Sequence, residues 1–122
     1  MPDSTIPPEQ WARFLEAFTR RHMGWLVRLE THDVQTGENV CSRYKPLQVI
    51  ELDTEDTKNP RINVTVNSEH KLIKHILFRP SRLTVKLSDD GAEESLNIES
   101  VNTSTTIRLR AAVLPHLVDG VA

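Results

Sequence analysis

The side chains able to do chemistry in this sequence are five histidines, one cysteine and two acidic clusters. Metal binding needs several ligands converging on one point, yet His22, His32, His70, His75 and His116 are scattered along the chain. His70 and His75 come closest. Five residues apart on one strand, they would face opposite sides of a sheet and could not share a metal. They read as solvated or hydrogen-bonded imidazoles. His22 is different because it falls on the apolar face of a predicted helix, at its end. It reads as a helix-capping or sheet-contacting imidazole, with proton transfer as the chemical alternative. Cys41 is the single cysteine, which rules out an intrachain disulfide and fits a reducing compartment. With only Arg43 and Lys45 as nearby bases, it reads as an inert or half-buried thiol.

Glu51, Asp53, Glu55 and Asp56 supply oxygen ligands but lack the order and distal glutamate of a calcium loop, so they read as a solvated loop. Asp89, Asp90, Glu93 and Glu94 surround Gly91 and read as turn chemistry, since a catalytic carboxylate pair must face across a cleft. The nucleophile elbow, the phosphate loop, the dinucleotide fingerprint and the zinc-protease motif are all absent. The expectation leans away from an enzyme, and no cofactor or metal is expected.

The elements that would position these groups follow from periodicity. Trp11, Phe14, Leu15, Phe18 and His22 recur at the spacing of one helical face, so residues 8 to 22 are predicted helical, with Pro8 at the first position and Gly24 as the cap. Glu9 with Arg13 and Glu16 with Arg20 are spaced as ion pairs on its solvent side. After Gly24 the period becomes two. Strands are expected around 25–29, 40–44, 47–52, 62–66, 72–78, 82–87, 96–98 and 107–109. Turns at Thr36–Asn39, Asp89–Gly91 and Asn102–Thr103 and a loop at 53–60 separate them. Residues 72–78 are apolar on both faces, which predicts a central strand or one covered by the helix. The fold class is therefore α+β: one N-terminal amphipathic helix on a mostly antiparallel sheet, or partly closed barrel, of about 7–8 strands. Residues 1–110 form one domain, and 111–122 an apolar C-terminal tail.

Length and composition agree with one core: 122 residues, 38% hydrophobic and 26% charged. A net charge of -2 argues against general nucleic-acid binding, whose affinity comes from many cations neutralising phosphates. The N-terminus lacks the pattern of a secretory signal, and no run reaches the roughly 18 apolar residues of a membrane span. A cytoplasmic protein is expected.

Ile6-Pro7, Trp11, Phe14, Phe18, His22 and Gly24-Trp25-Leu26-Val27, with Asp90-Gly91-Ala92, Leu96, Ile98-Glu99 and Leu109-Arg110, together carry a resemblance. The chain resembles domain of unknown function 5335, a family of short bacterial proteins, over roughly residues 6 to 110. It departs from the family pattern at Asn102-Thr103, where an Asp-Gly turn is usual, and after Arg110. The resemblance implies a bacterial source and a single-domain layout. It brings no activity, cofactor or catalytic residue.

Two surfaces remain as binding candidates. On the meander from 81 to 110, Arg82, Lys86, Arg108 and Arg110 would share an outward face with Glu99, either as a solubilising face with cross-strand pairs or as an anion or partner site. In the tail, Val113, Leu114, Leu117, Val118 and Val121 fall at the spacing of an apolar helical stripe. The leading expectation is a non-catalytic module that meets a protein partner or a second copy through these surfaces. The alternatives are a small-molecule binder or enzyme with a pocket at Trp11, His22 and Trp25, and a nucleic-acid-binding module using the basic strands.

Overall fold

The computed structural model describes residues 3–110. The element order is β1 (Asp3–Ile6), a 3-10 turn (Pro8–Gln10), α1 (Trp11–His22), β2 (Leu26–Asp33), β3 (Asn39–Cys41), β4 (Lys45–Asp53), β5 (Arg61–Ser68), β6 (Lys71–Phe78), β7 (Arg82–Leu87), β8 (Glu93–Glu99) and β9 (Thr103–Arg110). All strand pairs are antiparallel. The order across the sheet is β1-β7-β8-β9-β2-β4-β5-β6, with β3 paired to β2. The α+β class holds.

Two details differ from expectation. Nine strands form among the described residues rather than seven or eight, and the sheet does not close into a barrel. The added strand is β1, where Ser4 pairs with Val85 and Ile6 with Leu83. Its four residues are too short for a periodic signal, and only pairing with β7 makes them a strand.

Register decides which side chains share a face, because paired residues project to the same side. Leu83 and Val85 on β7, Leu96 and Ile98 on β8, Ile107 on β9, and Val27 and Leu29 on β2 are buried together. From the other half come Leu47, Ile50, Ile62, Val64, Val66 and Leu77. Trp11, Leu15 and Phe18 of α1 complete this single core. Phe14 packs at its margin, half-buried.

The seam between the two halves explains where the helix lies. β2 and β4 pair through Leu26 with Pro46 and Val27 with Lys45, and from Leu47 onward β4 pairs with β5, with a register shift between Leu47 and Val49. A diverging strand leaves backbone groups without partners, which is costly in a core. Thr19 of α1 fills this role. Its buried hydroxyl accepts from Ile50 N–H at 2.9 Å and donates to Ile50 C=O at 3.0 Å. Gly24, at φ +86°, donates its N–H to Leu47 C=O at 2.9 Å as the chain leaves the helix. The left-handed conformation suits glycine and makes the turn from α1 into β2.

A candidate docking surface on the open sheet edge

β6 is the last strand of the sheet, not a central or helix-covered one as its two apolar faces predict. Its inward residue Leu77 is buried, but Leu72 is 63% exposed, Phe78 54%, Ile76 39% and Ile73 38%. Leu72, Lys74, Ile76 and Phe78 alternate with the inward residues and so lie on the outer face. Four large apolar side chains thus sit in water on one strand, at the place where a sheet is most open to pairing.

The backbone of β6 is oriented for such pairing. Phe78 C=O accepts from Val101 N–H at 3.4 Å, while Arg79 N–H donates to Pro60 C=O on the β5 side at 2.9 Å. Backbone groups alternate in direction along a strand. Those of Leu72, Lys74 and Ile76, in step with Phe78, therefore point away from β5 toward the open edge. Lys71, Lys74 and Arg79 take part in none of the ion pairs among the described residues.

Beside this edge lies a cavity of about 300 Å³ lined by residues 75–78 of β6, Leu29 and Thr31 of β2 and residues 100–103 of the β8–β9 turn. Its floor is apolar at Leu29 and Leu77. Its polar margin includes His75 and Ser100, whose buried Oγ has no hydrogen-bond partner. Burial, with a smaller push from Lys45, lowers the pKa of His75 below the ordinary 6.5.

Of the residues expected to line a pocket, Trp11 stands at the start of α1 and His22 at its end, where His22 meets Trp25. Trp11 is buried and its Nε1–H donates to Ile6 C=O at 2.8 Å, tying β1 to the helix. His22 is buried between Phe18, at a ring-centroid distance of 4.3 Å, and Trp25, edge-on at 4.7 Å. Its Nδ1 lies 2.9 Å from Phe18 C=O and must carry the proton that this carbonyl accepts. Nε2 is 3.4 Å from Glu93 Oε1. Burial lowers its pKa, against the opposing pulls of the Phe18 carbonyl and Glu93, with Arg21 adding a small further lowering. None of the three residues lines the cavity beside β6.

On the outer face of the meander, Arg82, Lys86, Arg108 and Arg110 are all exposed. They do not converge. Arg82 lies opposite Glu99, while Lys86 and Arg108 flank Ser95 from either side. Arg108 instead donates to Glu30 at 2.8 Å, and Arg28 contacts the same carboxylate at 3.4 Å. Arg110 and Arg28 lie over the Tyr44 ring at 5.5 and 5.9 Å. The cross-strand pair that forms is Arg108 with Glu30, and the second arginine on that carboxylate, Arg28, comes from the same strand as Glu30. Sequence reasoning missed Arg28 and Glu30, because only the β2–β9 pairing brings them beside Arg108, and it missed Tyr44.

In the acidic loop, the N–H of Glu55 is the main influence holding the Asp53 carboxyl below its ordinary pKa, and Arg61 adds to this at 2.9 Å. The loop borders a depression shared with Lys74. No group of three or more metal-ligating side chains occurs among the described residues. Among them, too, no helix is long and apolar enough to cross a membrane. Val113, Leu114, Leu117 and Val118 lie outside the described residues.

A family defined only as a family of unknown function, DUF5335, matches residues 2–115. The chain belongs to DUF5335. The match takes in α1, all nine strands and the open edge of β6. Among its relatives, this DUF5335 protein is 22% identical over 113 residues to an uncharacterized protein of Aquifex aeolicus (strain VF5), covering 93% of this chain and 96% of the relative. No solved structure matches it.

Proposed function

We propose that this DUF5335 protein is a non-catalytic protein-interaction module whose docking surface is β6 and the cavity beside it. The observation that carries the reading is the exposure of Leu72, Ile73, Ile76 and Phe78 on a sheet edge. Apolar side chains gathered on one strand mark an interaction site more often than the same residues scattered singly. The supporting chemistry is negative as well. His22 is packed between Phe18 and Trp25, Arg108 and Arg28 share Glu30, and Arg110 lies over Tyr44.

The test compares proteins retained from a lysate of the source cell by the parent and by the double variant Ile76→Asp, Phe78→Asp. Both sites are exposed, so circular dichroism should be unchanged. A partner retained by the parent and lost by the variant supports the reading. Identical retention by both refutes it.

A second reading, a small-molecule site, rests on the same cavity and the unpartnered Ser100 Oγ. Its volume is at the lower end of about 300–1,000 Å³ for ligand pockets. A ligand that raises the thermal midpoint of the parent but not of Leu77→Trp would favour it.

A further inference from the structure

We infer that the depression on the outer face of the sheet, where Glu51, Glu55 and Asn63 meet beside β6, holds an arginine side chain of the partner that covers β6. The inference deepens the proposed function and rests on it. Register brings the residues together, because Glu51 of β4, Asn63 of β5 and Ile76 of β6 stand side by side in one row across three strands. Ile62 and Val64 are buried in the core, so Asn63 between them faces outward. It meets there a depression of about 450 Å³ that Glu51, Asp53, Glu55 and Lys74 also line.

The chemistry of the occupant follows from what these residues leave unused. Asp53 is already engaged, accepting from Glu55 N–H at 3.0 Å, from Arg61 at 2.9 Å and from Asn63 Nδ2 at 3.5 Å. A carboxylate only accepts, which sets the nitrogen of the Asn63 amide toward Asp53 and leaves Oδ1 as the remaining acceptor. That oxygen has no hydrogen-bond partner among the described residues, although Asn63 is only 4% exposed. A buried acceptor without a donor is rare. The exposed carboxylates of Glu51 and Glu55 take part in none of the ion pairs among the described residues. Two carboxylates and an amide oxygen ask for a cation with several N–H groups, and a guanidinium presents five in a planar fork. A metal ion fits less well, since no three metal-ligating side chains converge among the described residues. The exposed Ile76 and Phe78 offer apolar surface to the aliphatic stem of an arginine, a surface that a small free cation would leave uncovered.

Lys74, opposite Thr65, is the resident cation at the rim. It pairs with none of the three carboxylates. It therefore repels an incoming arginine without satisfying the acceptors, so changes at Lys74 and at Glu51 should act in opposite directions.

The experiment uses the full chain and a fluorescein-labelled synthetic peptide with one arginine between leucines. A control peptide carries citrulline, a neutral isostere, in place of arginine. Binding is read by fluorescence anisotropy, and its place by the side-chain amide signals of Asn63 in nuclear magnetic resonance. The arginine peptide should bind, move those signals and exceed the citrulline peptide in affinity by about tenfold or more. Glu51→Gln should weaken it, Lys74→Met should strengthen it, and Glu38→Gln, an exposed site on the β2–β3 turn, should leave it unchanged. Equal binding of the two peptides, unmoved Asn63 signals, or equal effects of Glu51→Gln and Glu38→Gln overturn the inference. Argininamide binding as tightly as the peptide also overturns it, assigning the site to a small cation. If no peptide binds while retention of a cellular partner still depends on Ile76 and Phe78, the arginine is wrong and the interaction-module reading stands. If both measurements fail, both readings fall.

Discussion

Phe18 and Phe14 occupy the same predicted helical face, yet their environments differ. Phe18 is fully buried in the core, whereas Phe14 packs on its margin. Phe18→Ala is therefore expected to cost about 3–5 kcal/mol in chemical denaturation, and Phe14→Ala clearly less. A second expectation concerns acid. The folded protein lowers the pKa of both His22 and His75 below 6.5, chiefly through burial. The unfolded chain therefore binds protons that the folded one refuses, so this contribution is complete above about pH 6.5 and is lost as pH falls through the folded values. The thermal midpoint should decline from that pH downward, and the combined variant His22→Gln, His75→Gln should flatten the decline. A slope equally steep in the variant would assign acid sensitivity to other groups.

At the scale of elements, α1 does more than cover a sheet. It supplies a hydroxyl to a strand that has parted from its neighbour, because Thr19 meets both backbone groups of Ile50. Thr19→Val keeps the shape and removes the hydroxyl, leaving buried polar groups unpaired. The loss is expected to be about 1–3 kcal/mol, and a change within error would show that water or a backbone shift replaces the contact. The helix itself was legible in the sequence, since Trp11, Leu15, Phe18 and His22 mark its buried face directly. The role of Thr19 was not. A threonine on a helix has no local signal for a strand 31 residues away. Whether Trp11, His22 and Trp25 line a space is likewise not written in their spacing, because complementary packing decides whether large rings line a space or fill it.

For the whole molecule, the sheet ends at β1 on one side and β6 on the other, and Lys74 stands in the middle of β6. Replacing it with an apolar β-former removes the guard, so Lys74→Val is expected to raise self-association in sedimentation velocity as concentration increases. A variant that stays as monodisperse as the parent would place the guard elsewhere.

Local periodicity in the sequence by itself determined the α+β class, the single helix, most of the strands and which side of the clearly alternating strands turns inward. Those properties depend on residues a few positions apart, and side-chain direction repeats every 3.6 or 2 residues. Tertiary structure alone decided that β1 is a strand, that Arg108 meets Glu30 and that β6 stands at the edge. Apolar residues on both faces of 72–78 say that both faces shed water, and a central strand and a docking edge satisfy that condition equally. Only the long-range order of strands distinguishes them, because edge status belongs to the neighbours a strand lacks and not to its own residues.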